Sequence, residues 1–348
     1  MRLLLYSDVH WSETSSIIKG RGEKYSIRLE NLINSVNWAE SIAEKSGCDA
    51  VICLGDFFDK PNLTAEEITS LKELRWADLP HYFIVGNHDS NIGDLSFAST
   101  FVFKKNNFEV VHRHSLLANY DINNETDVIM LPYITEDNRE LISDYISSLT
   151  KTPMSKKIIL SHNDIAGINY GKVVSQVGFK IDDILKNCDL FINGHLHNSG
   201  FVDDGEKILN IGNLSGQNFS ENAFDHKHYC AVLDTDNLML TFYQNPYAFN
   251  FYKIIIDITT DISKLNLGPN AIVSAQCVST RVPEVRNWFD NNADIVASRL
   301  QSIINRQSET VDISSLADSD YLQQFSDYIL AHLDNTDILN EELSFILR

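Results

Sequence analysis

The sequence predicts an α/β sandwich of two mixed β-sheets flanked by helices, followed by a small α+β unit and C-terminal helices. Three observations predict it. Short apolar strands repeatedly end in loops rich in Asp, His, Asn and Gly; helical periodicity fills several of the intervals between them; and the later strands are joined by turns too short for a crossover helix. With 348 residues, 43% hydrophobic and 22% charged, the chain is long enough for a main domain with appendages and apolar enough for a full core.

Taken in order, strands are expected at 3–6, 50–54, 82–85, 157–160 and 190–192. Between the first two, Leu29, Leu32, Ile33, Val36, Ala39 and Ala43 recur at helical spacing, and Gly47 stands where a C-cap belongs. Thr64 followed by Glu67 reads as a capping box that opens a second helix. Strands at 207–211, 229–234 and 238–243 follow through short turns and are expected to pair antiparallel with one another. Around Asn245-Pro246 the composition turns to a polar and aromatic linker. Beyond it, strands at 252–258 and 271–278 and a helical run at 282–304 suggest the small unit. Leu316, Tyr321, Leu322, Phe325, Tyr328, Ile329 and Leu333 then mark an apolar helical stripe in the tail. The domain boundaries read from this pattern are 1–247, 251–310 and 314–348.

Charge and cysteine content exclude several classes. A formal net charge of −20 repels polyanions as a whole, so any contact with nucleic acid must come from local patches, metal ions or a partner chain. The five cysteines lie scattered without close pairs, which indicates neither a disulfide framework nor a CxxC metal site and fits a reducing compartment. The apolar start at 1–6 is cut off by Ser7, Asp8 and His10, too early for a signal peptide, and no segment approaches the roughly 18–20 apolar residues that span a bilayer. A cytoplasmic, soluble protein with no membrane contact is expected.

Five strand ends carry the chemistry: Asp8-Val9-His10, Gly55-Asp56-Phe57-Phe58-Asp59, Gly86-Asn87-His88-Asp89, Ser161-His162 and Gly194-His195-Leu196-His197. One Asp-x-His alone would be an ordinary turn. Five such loops in series place oxygen and imidazole donors at one edge of a sheet, where α/β proteins build their sites. Residues i and i+2 of an extended segment point to the same side, so Asp8 with His10, and His195 with His197, can present ligands in pairs. The donors are nitrogen and oxygen without thiolate, which favours manganese, iron or zinc, with manganese first. Their number suits two ions roughly 3.5–4 Å apart that share a carboxylate.

This series, D-x-H, G-D-x-x-D, G-N-H-D, an isolated His and G-H-x-H, resembles the calcineurin-like metallophosphoesterases over about residues 1–245. The resemblance implies that Asp8, His10, Asp56 and His197 hold one metal, that Asp56 bridges, and that Asn87, His162 and His195 complete the other. It also implies that His88 is not a ligand but stabilises the transition state and supplies a proton to the leaving oxygen, with Asp89 orienting it. The reaction implied is in-line attack of an ion-activated water on phosphorus. Asp59 fits the motif as a supporting residue, whereas His112 and His114 fall outside it and are expected on the surface or in loops.

The strings Leu54-Gly55-Asp56-Phe57-Phe58-Asp59, Ile84-Val85-Gly86-Asn87-His88-Asp89, Leu160-Ser161-His162 and Asn210-Ile211-Gly212, with the order of domains, are similar to SbcD-type nuclease subunits of DNA double-strand-break processing, including shorter phage-encoded forms. That resemblance implies a Mn2+-dependent exonuclease and endonuclease, 3′ to 5′ on duplex ends, working as a homodimer. It assigns 1–247 to the nuclease domain, 251–310 to a DNA-facing cap, and 314–348 to helices that dock on an SbcC-type ATPase. No Walker-type motif occurs, so ATP hydrolysis would belong to that partner. Trp11-Ser12-Glu13 departs from the Leu-Gly common in the family. Lys19, Arg21, Lys24 and Arg28 form a basic cluster after the first metal loop that is expected either to meet DNA phosphates or to be a solvated helix start. Two other readings are a stand-alone phosphodiesterase or phosphatase for small nucleotides and an inactive scaffold of the same fold.

Overall fold

The structure, a computed structural model, describes residues 1–303 apart from 16, 92–93, 118–125, 150–153 and 169–173. Met1–Ser302 form one compact unit. The expected docking segment 314–348, and the part of the expected cap beyond residue 303, lie outside the described residues.

The first sheet has six strands in the order β12-β11-β1-β2-β3-β4, where β1 is Arg2–Tyr6, β2 Ala50–Cys53, β3 His81–Ile84, β4 Phe108–Val111, β11 Tyr229–Asp234 and β12 Met239–Gln244. β1 to β4 run parallel, in registers such as Leu3↔Ala50 and Val51↔His81, while β11 lies antiparallel on β1 with Leu3 opposite Leu233. The second sheet, also six-stranded, has the order β9-β10-β8-β7-β6-β5, from β5 Ser115–Leu116, β6 Thr126–Leu131, β7 Lys156–Ser161, β8 Leu190–Asn193, β9 Gly200–Phe201 and β10 Ile208–Asn210. Here β6, β7, β8 and β10 are parallel.

Alternation along the buried strands divides their side chains between layers. Leu3, Leu5, Ile52 and Ile84 meet Val128, Met130, Ile158, Leu160 and Ile192 between the two sheets. Leu4, Tyr6, Val51, Cys53 and Phe83 face the other way, onto Leu29, Leu32, Val36 and Ala39 of α1, Ile27–Lys45. Ile129, Leu131, Ile159 and Phe191 of the second sheet pack on α3, Ile142–Leu149, and α4, Ile181–Asn187. The result is a four-layer sandwich of helix, sheet, sheet and helices.

Helix α1 begins at Ser26, whose side chain accepts from the Leu29 amide, and ends at Ser46 with Gly47 in the left-handed region beyond it. The capping box opens α2, Ala65–Ser70. Its Glu67, fully buried, also accepts from the Glu13 amide at 3.1 Å and pairs with Lys60, while the Glu67 carbonyl accepts from the indole of Trp11. The Trp11-Ser12-Glu13 segment is thereby clamped onto the start of α2.

Two sequence expectations are corrected. The strand near 207–211 does not join the antiparallel pair of β11 and β12; as β10 it lies parallel to β8 in the second sheet, and the chain crosses to the first sheet only afterwards. The run at 282–304 is not one helix. It divides into α5, Val282–Asn291, and β15, Ile295–Ile303, because the polar turn at Asn291-Asn292 halts the helix and the following segment alternates with period two. β15 forms a three-stranded sheet with β13, Asn250–Ile256, and β14, Ala271–Val278, in the order β13-β14-β15. This small unit has its own core of Tyr252, Ile254, Val273, Ala275, Val285 and Phe289.

Thr64→Ala removes one half of the capping box and is expected to lower stability by about 1 kcal/mol. Glu67→Ala removes the cap, the Lys60 pair and the clamp on Glu13, so it should lower the melting temperature further. Melting curves recorded with and without Mn2+ should show a smaller metal-induced rise for Glu67→Ala than for Thr64→Ala.

Candidate metal centre

The parallel strands of both sheets end at one edge, where their loops interlock through backbone hydrogen bonds. The amides of Asp8, His10 and Trp11 donate to the carbonyls of Gly55, Asp56 and Phe57, and the Gly194 amide donates to Ser161. Asn163 and Asn193 exchange side-chain and backbone bonds across β7 and β8. Asn210 ties the double-histidine loop down through the carbonyls of Leu196 and Asn198. Asp8, His10, Asp56 and His195 all have positive φ, between 48° and 74°, a conformation that costs non-glycine residues energy and persists only where surrounding contacts enforce it. Gly55 and Gly86 make the close approach possible, since a Cβ on either would run into His162 or Asp56.

Two clusters result. In the first, Asp8 Oδ1 lies 3.8 Å from His10 Nε2 and 4.0 Å from His197 Nε2, and Asp56 Oδ2 lies 3.9 Å from His10 Nε2. In the second, His162 Nε2 is 3.0 Å from Asp56 Oδ2 and 3.3 Å from Asn87 Oδ1, which in turn is 3.0 Å from His195 Nδ1. Asp56 Oδ2 faces both clusters, and its Oδ1 is fixed by the His88 amide at 2.8 Å. The structure therefore brings together Asp8, His10, Asp56, Asn87, His162, His195 and His197.

The donor set fits divalent ions. Asp8 Oδ1 and His10 Nε2 are buried and make no hydrogen bond among the described residues, an arrangement that costs about 1–3 kcal/mol per orphaned group unless a cation lies between them. Each of the four imidazoles in these clusters is also anchored on its other nitrogen. His10 Nδ1 bonds Asp59 at 3.0 Å, His162 Nδ1 the Leu54 carbonyl at 2.7 Å, His195 Nε2 Asp164 at 3.0 Å, and His197 Nδ1 Glu221 at 2.9 Å. Such outer contacts fix the tautomer and turn the remaining lone pair toward a metal.

Charge follows geometry. Burial opposes the Asp8 and Asp56 carboxylates, but surrounding imidazoles outweigh it and hold both below the usual range. Burial likewise opposes protonation of His10 and His162, yet neighbouring carboxylates raise them to about 10 and about 9. Asp89 moves the other way, to about 7, because it is buried beside Asp56.

Several sequence assignments change here. Asp89 does not orient His88: its oxygens accept from the Phe58 and Gly86 amides at 2.9 Å, bracing the two loops, while His88 Nδ1 donates to the Asp59 carbonyl at 2.9 Å. The basic cluster is in part engaged within the chain. Arg21 is engaged by Glu66 and Lys24 by Glu73, while Arg28, 5% exposed, donates to the His10 carbonyl; Lys19 is exposed. Asp164 and Glu221 were not singled out from sequence. Asp164 lies two residues past His162 and was within reach of the motif, but Glu221, 24 residues beyond His197, carried no local signal.

A paired imidazole and carboxylate centre at the carboxyl edge of an α/β sandwich defines a metal-dependent hydrolase. The family of calcineurin-like phosphoesterases matches residues 1–206, and the chain belongs to it: a metallophosphoesterase acting on phosphoester bonds with divalent metals. Solved structures similar to it include TT1561 of Thermus thermophilus, 13% identical over 70% of this chain and 98% of that one with a TM-score of 0.41. A dimetal phosphatase from Danio rerio is 12% identical over 67% and 91%, with a TM-score of 0.40. An archaeal phosphodiesterase is 14% identical over 70% and 99%, with a TM-score of 0.35. At these identities no substrate or partner carries over. No match was found among curated proteins. Among the described residues no helix is long and apolar enough to cross a membrane.

Glu221→Gln and Asp164→Asn should each weaken metal binding about 10–100-fold, the first at the site of His197 and the second at that of His195, as titration calorimetry with Mn2+ would resolve. Raised histidine pKa values mean that His10 and His162 carry protons at pH 7 before an ion binds, and ligation requires them neutral. Binding is therefore expected to release protons and to tighten as pH rises toward about 9. Calorimetry in buffers of different ionisation enthalpy measures that release.

Proposed function

We propose that the chain is a Mn2+-dependent DNA exonuclease and endonuclease subunit of the SbcD type, cleaving phosphodiesters at DNA ends, hairpins or single strands together with an SbcC-like ATPase. The observation that carries the hydrolase part is the gathered set of candidate ligands, with the exposed His88 beside His10 and Asp56 at its mouth. Two features support a polymer as substrate. A cavity of about 1110 Å³, lined by His195, His197, Asn198, Asn218 and His226 among others, opens directly on the double-histidine loop and leaves room for more of a substrate than its scissile phosphate. The small α+β unit is also tied to that centre: Asn222 bridges Phe251 of β13 and the Ala223 amide donates to its carbonyl, one and two residues beyond the Glu221 that holds His197.

Two divalent ions held by Asp8, His10, Asp56 and His197, and by Asp56, Asn87, His162 and His195, would supply Lewis acidity for the phosphate and for an attacking water. The protein's own part is positional. Asp56 joins the two ligand groups, and Asp59, Leu54, Asp164 and Glu221 hold the imidazoles in their ligating tautomers. Because a carbonyl only accepts, His88 Nδ1 must carry a proton to the Asp59 oxygen, so Nε2 is the atom turned to substrate and, when protonated, donates to the leaving oxygen.

The purified chain with Mn2+ should degrade end-labelled duplex DNA and hydrolyse bis-p-nitrophenyl phosphate. His88→Ala should lose turnover on both by about 10²-fold or more while retaining metal stoichiometry; Asp56→Ala should lose both metal and turnover. Cleavage of the small diester alone, even when an SbcC-type partner is supplied, would overturn the DNA reading in favour of a stand-alone phosphodiesterase for small nucleotides. Loss of metal in His88→Ala would refute its non-ligand role.

A further inference from the structure

A second cavity, of about 570 Å³, opens beside the metal centre on the side of Asn87, and nothing in the reaction just described uses it. Its walls are ring-rich: His112, His114, Tyr133 and Tyr145 line it together with the exposed Arg113. His112 and His114, outside every sequence motif and expected on the surface or in loops, both come to this wall.

The cavity is continuous with the chemistry. Asn87 belongs both to its lining and to the ligand group, with Oδ1 facing His162 and His195. The Tyr133 ring lies 5.8 Å from the His195 ring, tilted by 42°, and its amide is fixed to the Val85 carbonyl in the strand-end loop that leads to Asn87. Its hydroxyl makes no hydrogen bond among the described residues and is available to a ligand's polar edge. His114, itself exposed, packs edge-on against Tyr145 at 5.1 Å. Arg113 has no ion pair among the described residues, unlike Arg21 and Lys24 of the basic cluster.

Flat faces, a hydroxyl and an uncommitted guanidinium beside a phosphate-handling centre match one ligand chemistry: a planar heterocycle joined through a sugar to a phosphate. Lipid tails would leave the polar atoms unpaired, and a phosphorylated amino-acid side chain would leave the rings uncovered. We propose that this cavity is a base subsite, which takes the nucleobase adjoining the scissile phosphate, unstacked from its neighbours, against Tyr133, with Arg113 at the rim meeting the next phosphate. The inference rests on the phosphodiesterase reading of the centre and extends it to a preference for nucleoside esters.

The test compares kcat/KM of the full chain, loaded with Mn2+, for methyl p-nitrophenyl phosphate and for the p-nitrophenyl phosphate esters of thymidine at its 5′ and its 3′ oxygen. Wild type is expected to favour at least one thymidine ester over the methyl ester by about tenfold or more, the size of one stacked base. Tyr133→Leu should cut that ratio about tenfold, mainly through KM. Arg113→Ala, at an exposed position that tolerates truncation, should leave the ratio for these monoanionic esters close to that of wild type but raise KM for a dinucleotide carrying a terminal phosphate. Calorimetric metal binding to Tyr133→Leu separates loss of the subsite from disturbance of His195. Absence of preference in wild type for either thymidine ester, or an undiminished ratio in a metal-competent Tyr133→Leu, would overturn the base subsite. DNA cleavage without nucleoside preference would sink this inference and leave the nuclease reading intact; preference without DNA cleavage would do the reverse.

Discussion

One buried carboxylate, that of Asp56, sets the terms for the rest of the molecule. Its Oδ2 is the oxygen common to both ligand groups and its Oδ1 is spent on the His88 amide, so it has no freedom to move without dissolving both clusters. A carboxylate 1% exposed is tolerable only if positive charge converges on it from several directions. The two-sheet arrangement provides that convergence. His10 arrives from the first sheet and His162 from the second, and the loop of Asn87 and His88 closes over the top.

Convergence of this kind has a backbone cost. Donors must leave the ends of parallel strands and turn back over them within one or two residues, which forces Asp8, His10, Asp56 and His195 into left-handed conformations. The interlocking amide and carbonyl bonds between neighbouring loops, and the absence of side chains at Gly55 and Gly86, hold these turns in place. Asp89 belongs to this frame: with both oxygens on backbone amides it acts as a brace between the β2 and β3 loops, and its buried position beside Asp56 explains why its carboxyl is raised to about 7.

What the sequence disclosed, and what it hid, follows from the range of each interaction. The seven candidate ligands could be picked out because they sit at five apolar strand ends, in motifs of two to five residues. The helix of Leu29 to Ala43 and the Thr64 capping box are equally local and appear in the structure. Partners set by tertiary contact were not legible: Glu221 reaches His197 from a loop after β10, and Asp89 was assigned to the nearest ring in sequence when amides across the loop were the better donors. β6, beside the edge strand β5 of the second sheet, ends in no ligand motif that would mark it, and β15 can be taken for a continuation of α5 because apolar residues on both sides of Asn291-Asn292 can be fitted to a helical period.

The basic cluster illustrates how charge in a sequence can be spoken for by the fold. Arg21 and Lys24 meet glutamates of the α2 region, and Arg28 lies buried behind His10, where the charges of Asp59 and Glu221 partly offset the burial that lowers its pKa. Arg28 is better placed to balance the two carboxylates that hold His10 and His197 than to meet a phosphate in solvent. A chain of net charge −20 whose Arg21, Lys24 and Arg28 are engaged internally, leaving Arg113 at the rim of the neighbouring cavity, offers little long-range attraction to a polyanion. Attraction for a phosphate at this mouth must therefore come chiefly from divalent ions in the centre itself, at short range and little screened by salt because the site is largely buried. Substrate affinity and metal loading are thus coupled through the same few carboxylates, and a change that loosens Glu221 or Asp59 acts on both at once.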